Sequence, residues 1–420
     1  MTSVVDGTRF ARAAATRQAI VAAAADLFGS RGYRFVSLRD IAAQAGISHP
    51  ALLKHFAGKE ELLAEVERRF DRPHAPADAA VDGLPFAAEA RREAEVPGYV
   101  PFFAALTGEA SAPSHPLHAV MRDRLLRLRD DHGGVLEDGL GRGLVGHGRD
   151  TGDEATRLVA AWDGLRMLQR YLPDRVDIAA ALAAHQELLA HPNSWRPAGD
   201  RARDPDAPPA PPLLTLSIDD ETASPDAGYR TGRERRARIV DGAMALFARE
   251  GYGDTSLLDI ATRVGVSKSA LYHHFPSKDA LLHAVLRERD RRIDDTVAST
   301  ATATAVDVLR GLPAAAAANE SDQPGLIELY AVVSSEATPP GHDAHAYFEH
   351  RFSQALDGFS GMFRAAAEAG ALPSHRDPVH EGLWLLALWD GLQYSWLYDQ
   401  AGVDVAGQLR AHLADVLPPG

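Results

Sequence analysis

The chain has 420 residues, 45% hydrophobic and 7% aromatic, enough to bury real cores in more than one domain. It has no cysteine, which excludes disulfides, thiolate catalysis and zinc ribbons and fits a reducing cytoplasm. A net charge of −14 argues against nucleic acid, but residues 9–70 carry +4 and residues 229–292 carry +5, leaving −23 on the rest.

The pattern is helical throughout, rich in Ala, Leu and Arg and poor in alternating β-branched runs. From the N-terminus, Ile20, Ala24, Leu27 and Phe28 recur at helical spacing, and Gly32 suits a left-handed C-cap. Ser37-Leu38-Arg39-Asp40 has the form of a capping box and opens a second helix through Ile41 and Ala42, which Gly46 breaks. Ser48 caps a short third helix that tolerates Pro50 in its first turn, and a fourth begins near Gly58-Lys59-Glu60. Two short helices about a glycine-containing turn are what helix-turn-helix geometry requires, with the second helix entering the major groove.

The whole arrangement occurs twice. Arg17–Leu63 matches Arg236–Leu282 without gaps, with 22 identities in 47 positions at an offset of 219. At an offset of 227 the match resumes: Pro97-Gly98 with Pro324-Gly325, Glu109-Ala110 with Glu336-Ala337, and Trp162-Asp163-Gly164-Leu165 with Trp389-Asp390-Gly391-Leu392. The second copy holds the longer insert between these blocks, and a period this long means duplication of a two-domain protein rather than a solenoid. Unit 2 repeats each signal: Gly251, Ser256-Leu257-Leu258-Asp259, Gly265, Ser267 and Ser277-Lys278.

After each module about five helices follow; in unit 2 they include Gly325–Ala337, Ala344–Ala369, Pro378–Tyr398 and Val403–Val416. The expected organisation is all-α: two tandem copies of a helix-turn-helix domain plus a helical ligand-binding and dimerisation domain. Its segments are 9–70 and 71–190, a Pro-rich linker at 191–228 with eight prolines, then 229–290 and 291–418. Leu213–Ile218 is an apolar exception within the linker.

The bland alternative is a well-capped three-helix core with no ligand. Against it, the chain has only four lysines (Lys54, Lys59, Lys268 and Lys278), all on the third helix or the start of the fourth, where phosphates would lie. Both modules resemble the tetracycline-repressor (TetR) family of bacterial regulators. Unit 2 carries Asp259-Ile260-Ala261, Gly265-Val266-Ser267 and Leu271-Tyr272-His273-His274-Phe275; unit 1 carries Asp40-Ile41-Ala42, Gly46-Ile47-Ser48 and Leu52-Leu53-Lys54-His55-Phe56.

The resemblance implies base reading by His49 and Pro50 in unit 1 and by Lys268 and Ser269 in unit 2. It implies a phosphate or base contact by Tyr272, where unit 1 has Leu53, and phosphate pairing by Lys59 and Lys278. Ser37, Arg39, Ser48, Lys54, Ser256, Ser267 and His273 complete the DNA-facing set, with His55 and His274 read as packing or phosphate groups. It further implies that the last two helices of each unit form a dimer interface. The helices before them would enclose a pocket for an apolar effector that releases operator DNA.

Pocket candidates are Tyr99, Phe102, Phe103, His118, Met121, Trp162 and Arg166 in unit 1, and Tyr330, His345, Phe348, Trp389, Gln393 and Tyr394 in unit 2. The Trp and Tyr density between Tyr330 and Tyr398 points to unit 2 as the stronger pocket. Trp162, Trp389 and the neighbouring Asp and Gly pairs could equally serve the interface, and these two uses stay open.

No metal-ligand spacing, nucleophile elbow, P-loop or dinucleotide fingerprint occurs, so neither an enzyme nor a cofactor or metal is expected. A helical protein-binding scaffold with one degenerate DNA-binding unit is the other alternative. Residues Met1 to Arg17 lack an apolar signal core and no run reaches membrane-spanning length, so a soluble, cytoplasmic chain without membrane contact is expected. Its expected state is an intramolecular pseudo-dimer, the rival being a homodimer, on operator DNA with non-identical half-sites.

Overall fold

In the computed structural model, the described residues are 2–71, 83–200, 230–250, 252, 255–297, 303–322 and 324–418. Unit 1 opens with a head of four helices: α1 (Thr2–Arg31), α2 (Leu38–Gln44), α3 (His49–Leu52) and α4 (Lys59–Phe70). Its body follows as α5 (Phe86–Glu95), α6 (Tyr99–Glu109), α7 (His118–Gly141), α8 (Thr151–Tyr171) and α9 (Ile178–Leu189). Unit 2 repeats the order with a head of α10 (Arg230–Glu250), α11 (Leu257–Val264), α12 (Lys268–His274) and α13 (Lys278–Val297). Its body is α14 (Ala305–Asp322), α15 (Pro324–Glu336), α16 (His345–Glu368), α17 (Pro378–Tyr398) and α18 (Val405–Val416).

The starts of these helices are fixed by local chemistry. Ser37 and Ser256 both close full capping boxes with Asp40 and Asp259, while Ser48 and Ser267 accept backbone N–H groups at the starts of α3 and α12. Gly46 and Gly265 sit at φ +68° and +72°, the left-handed conformation that the tight turn between the two short helices needs. Asp150, Asp177, Asp377 and Asp404 cap the last two helices of each body in the same way.

The bodies meet face to face. The central pair is α8 against α17, each buried around most of its circumference because it packs on its own unit and on the other. Helices α6 and α15 form a second cross-unit layer. Contacts exchange in pairs, as an isologous interface requires: the Tyr171 hydroxyl donates to the Ser334 carbonyl, and the Tyr398 hydroxyl donates to the Thr107 carbonyl at 2.6 Å. His118 stacks on Tyr398 and His345 on Tyr171.

One charged cluster departs from this symmetry. Arg149 binds Glu154 and Arg376 binds Glu381, and both arginines also reach the single carboxylate of Asp415 at 3.2 and 2.7 Å. Residues 191–200, read from sequence as the start of the linker, are docked on unit 2. Trp195 stacks on His191 and meets His375 edge-on, Arg196 donates to the Gly370 and Ala371 carbonyls, and the Ser194 N–H donates to Asp415. The apolar stretch at 213–218 lies outside the described residues.

Candidate nucleic-acid interface and a cavity in unit 1

Each head presents the first turn of its third helix and the flank of its second to solvent. Arg39, Ser48, Pro50, Leu53 and Lys54 are exposed in unit 1, and Leu258, Ser267, Lys268, Ser269, Tyr272 and His273 in unit 2. Leu53 and Tyr272, at equivalent positions, are 45% and 43% exposed, so the substitution falls on the outward surface and not in the core. Helix α12 runs seven residues; α3 runs four, after which Lys54 and His55 bond three residues back, to Ala51 and Leu52. His49, His55 and His274 are half-buried, and the His55 carbonyl accepts from Arg17 at 3.1 Å.

The serines at Ser37, Ser48, Ser256 and Ser267 are engaged as caps. Lys59 and Lys278, expected on phosphate, lie over the rings of Tyr33 and Tyr252 at 4.1 and 4.2 Å, so these ammonium groups also tie α4 and α13 to the loop after the first helix.

That loop is where the heads join the bodies and each other. Glu109 and Glu336 end α6 and α15, fully buried. The Tyr252 N–H donates to Glu336 at 2.9 Å, and Arg34, 6% exposed, forms an ion pair with Glu336 at 3.1 Å while also donating to the Glu250 carbonyl. Burial, with Glu336 nearby, pushes the Glu109 carboxyl up to about 8. The position equivalent to Arg34 in unit 2 is Gly253, so one arginine from unit 1 serves both copies.

A cavity of about 400 Å³ opens in unit 1 between α5, α7 and α8. Tyr99, Trp162 and Arg166 line it, with Phe70, Phe86, Glu89, Glu93, Arg124 and His132. Its walls are not apolar. Arg166 holds Glu93 through two hydrogen bonds of 2.7 and 2.8 Å and Asp163 at 2.6 Å, while Arg124 reaches Asp71 at 3.3 Å and lies over Phe103. The indole N–H of Trp162 and Nε2 of His132 are buried without a hydrogen-bond partner. Phe102 and Phe103 pack in the core, His118 belongs to the cross-unit stack, and Met121 lines a small crevice beside Asp163 and Tyr394.

At the equivalent positions of unit 2 the side chains pack on one another. Arg289 and Arg351 lie over Tyr330, and Asp290 accepts from Tyr347 at 2.7 Å and Arg351 at 2.5 Å. Phe348 packs on Tyr330 and Tyr347, Trp389 on Phe359, and His345 on Tyr171. Gln393 stands where unit 1 has Arg166, and Asp390, left without a hydrogen bond at Oδ2, is pushed up to about 7 by burial. Among the described residues, the aromatic side chains expected to line a pocket in unit 2 contact one another.

Comparison with known proteins bears on both heads. The model of bacterial regulatory proteins of the tetR family matches residues 20–66 and again 239–285. The HTH-type transcriptional regulator SrpR of Pseudomonas putida is 30% identical over 171 residues, 38% of this chain and 76% of that protein. The chain belongs to the TetR family. The TetR-type helix-turn-helix occurs in it twice, once per unit. The HTH-type transcriptional repressor KstR of Mycobacterium tuberculosis is 36% identical over 104 residues, and the chain spans 47% of KstR's length and 32% of that of Rv1474c, a second repressor of that organism. A transcriptional regulator from Saccharomonospora viridis, solved with choline, is 28% identical over 44% of this chain and 95% of its own, with a TM-score of 0.39.

Arg34, Glu93, Arg124 and His132 escaped sequence reasoning. Arg124 and Arg351 coincide at the offset of 227, and a repeated charge on a helix that turns an apolar face inward was the available signal.

Proposed function

We propose that this TetR-family chain is an effector-responsive repressor whose two heads, carried on one chain, read the two halves of a single operator. The observation that supports this reading is the reciprocal α8–α17 contact between the units, the kind of isologous contact by which two helix-turn-helix heads pair about a twofold axis. The heads differ at exposed positions: Arg39, Pro50 and Lys54 against Leu258, Ser269 and His273. Arg and Lys suit guanine O6 and N7, whereas Pro offers apolar contact alone, so the preferred half-sites differ. An effector entering the unit 1 cavity would act on α7 and α8, through them on α6 and Glu109, and so on the seating of the heads.

Footprinting on the DNA upstream of the chain's own gene, followed by half-site swapping, tests the reading. A natural site that outcompetes both palindromes supports it; a palindrome of either half binding as tightly overturns the claim of two different readers. Light scattering tests the assembly: a mass near 45.1 kDa is expected, and a stable species of twice that overturns the one-chain arrangement.

A further inference from the structure

Resting on the reading of the unit 1 cavity as the effector site, we propose that it binds one aryl-substituted primary or secondary ammonium ion per chain. In this arrangement the N–H groups sit between His132 Nε2 and the Glu89 carboxylate.

The argument begins with the tautomer of His132. Its Nδ1 lies 2.7 Å from the Leu128 carbonyl, which can only accept, so Nδ1 carries the hydrogen. In the neutral ring Nε2 is then a lone pair, buried and without a partner. Burial lowers the ring's proton affinity and keeps it neutral. Opposite Nε2 stands Glu89 Oε2 at 3.9 Å, and Arg92 is equally distant, at 3.9 Å, from Glu89 Oε1. Neither is a hydrogen bond. Burial raises the Glu89 carboxyl, and a cationic donor placed between it and the His132 lone pair would hold it as the carboxylate while satisfying both acceptors. A nitrogen about 2.8 Å from each fits the gap, and it needs two N–H donors to satisfy both. A hydroxyl has one, and a quaternary ammonium has none.

The rest of the site agrees with a cation. Four arginines line the cavity beside Asp71, Glu89, Glu93 and Asp131: Arg166 pairs with Glu93 and Asp163, Arg124 and Arg127 share Asp71, and Arg92 stands 3.9 Å from Glu89. Phe86 stacks on His132 at 5.3 Å, and Trp162 meets the same ring edge-on at 5.7 Å, so aromatic walls flank the acceptor pair. Unit 2 cannot repeat the arrangement, since Phe359 replaces His132 and its own Arg351–Asp290–Tyr347 network packs together. One site per chain follows.

Titration calorimetry of the full chain without DNA, using 2-(2-naphthyl)ethylamine, its N,N,N-trimethyl derivative and 2-naphthylacetate, tests this. The amine is expected to bind once per chain, roughly tenfold or more tighter than either analogue. His132→Phe, which installs the unit 2 residue, and Glu89→Gln should each remove that preference, while Glu368→Gln, exposed on α16 of unit 2, leaves it unchanged. No amine binding, two amines per chain, or equal binding of the trimethyl compound overturns the proposal. An amine that binds as stated yet leaves operator DNA bound in a gel shift sinks the effector reading and leaves the ligand assignment standing.

Discussion

Gly164 and Gly391 occupy equivalent places on the crossing helices α8 and α17, each lying against the carbonyl of the alanine four residues before the other, Ala387 and Ala160. A β-carbon at either would overlap that carbonyl, so the backbones can approach this closely only with glycine at both sites. Gly391→Ala should push the helices apart at a cost of about 1–3 kcal/mol, as overpacking does, read as a lower urea midpoint. An unchanged midpoint would mean that the helices slide without strain.

Arg34 should be the costliest single residue at the junction of heads and bodies. Arg34→Met leaves Glu336 buried beside Glu109 without its cation, and breaking a buried pair costs about 3–5 kcal/mol. Urea denaturation of the variant measures the loss; a change below 1 kcal/mol would show that Glu336 takes up a proton at little expense.

Glu109 sets a pH dependence of known sign. Its carboxyl is raised from 4.5 to about 8 in the folded chain, so between those values the folded state holds a proton that the unfolded state releases. Stability from this group is complete below about 4.5 and is lost as the pH rises through 8, at no more than about 1.4 kcal/mol per pH unit. Glu109→Gln should flatten that slope and raise the melting temperature at pH 8.5 relative to the parent; a parallel pH profile counts against it.

Lys268 and Lys59 should separate base reading from support. Lys268 is exposed at the start of α12, so Lys268→Ala should relax base preference in one half-site, at about 1–3 kcal/mol if its contact is a good base pairing. Lys59 lies over Tyr33, so Lys59→Ala should weaken all sequences alike, flatten the salt slope by about one and lower the melting temperature. Competition binding at two salt concentrations reads the first two effects, and a sequence-dependent loss at Lys59 would reverse its assigned role.

Local signals carried most of the architecture. Both capping boxes and both left-handed turn glycines sit where Ser37, Ser256, Gly46 and Gly265 put them, because cap chemistry is decided within four residues. The cavity was half legible. Tyr99, Trp162 and Arg166 line it, but His132 gains meaning only from Leu128 and Glu89, one on its own helix and one on α5. The filled space in unit 2 was illegible, since Arg289 and Asp290 lie past the end of the ungapped match and their partners Tyr347 and Arg351 are far along the chain. Arg34 had no signal at all: its partner is 302 positions away and its counterpart is Gly253.

Asp415 has Leu188 as its counterpart, and yet it binds the arginines of both units. In an assembly of two identical chains every substitution enters twice and must be tolerable on both sides of the axis at once. Joining the copies lifts that rule. A lone acid can then draw in two bases, and one arginine can clamp two heads. Each half is free to specialise, provided the other half changes to match.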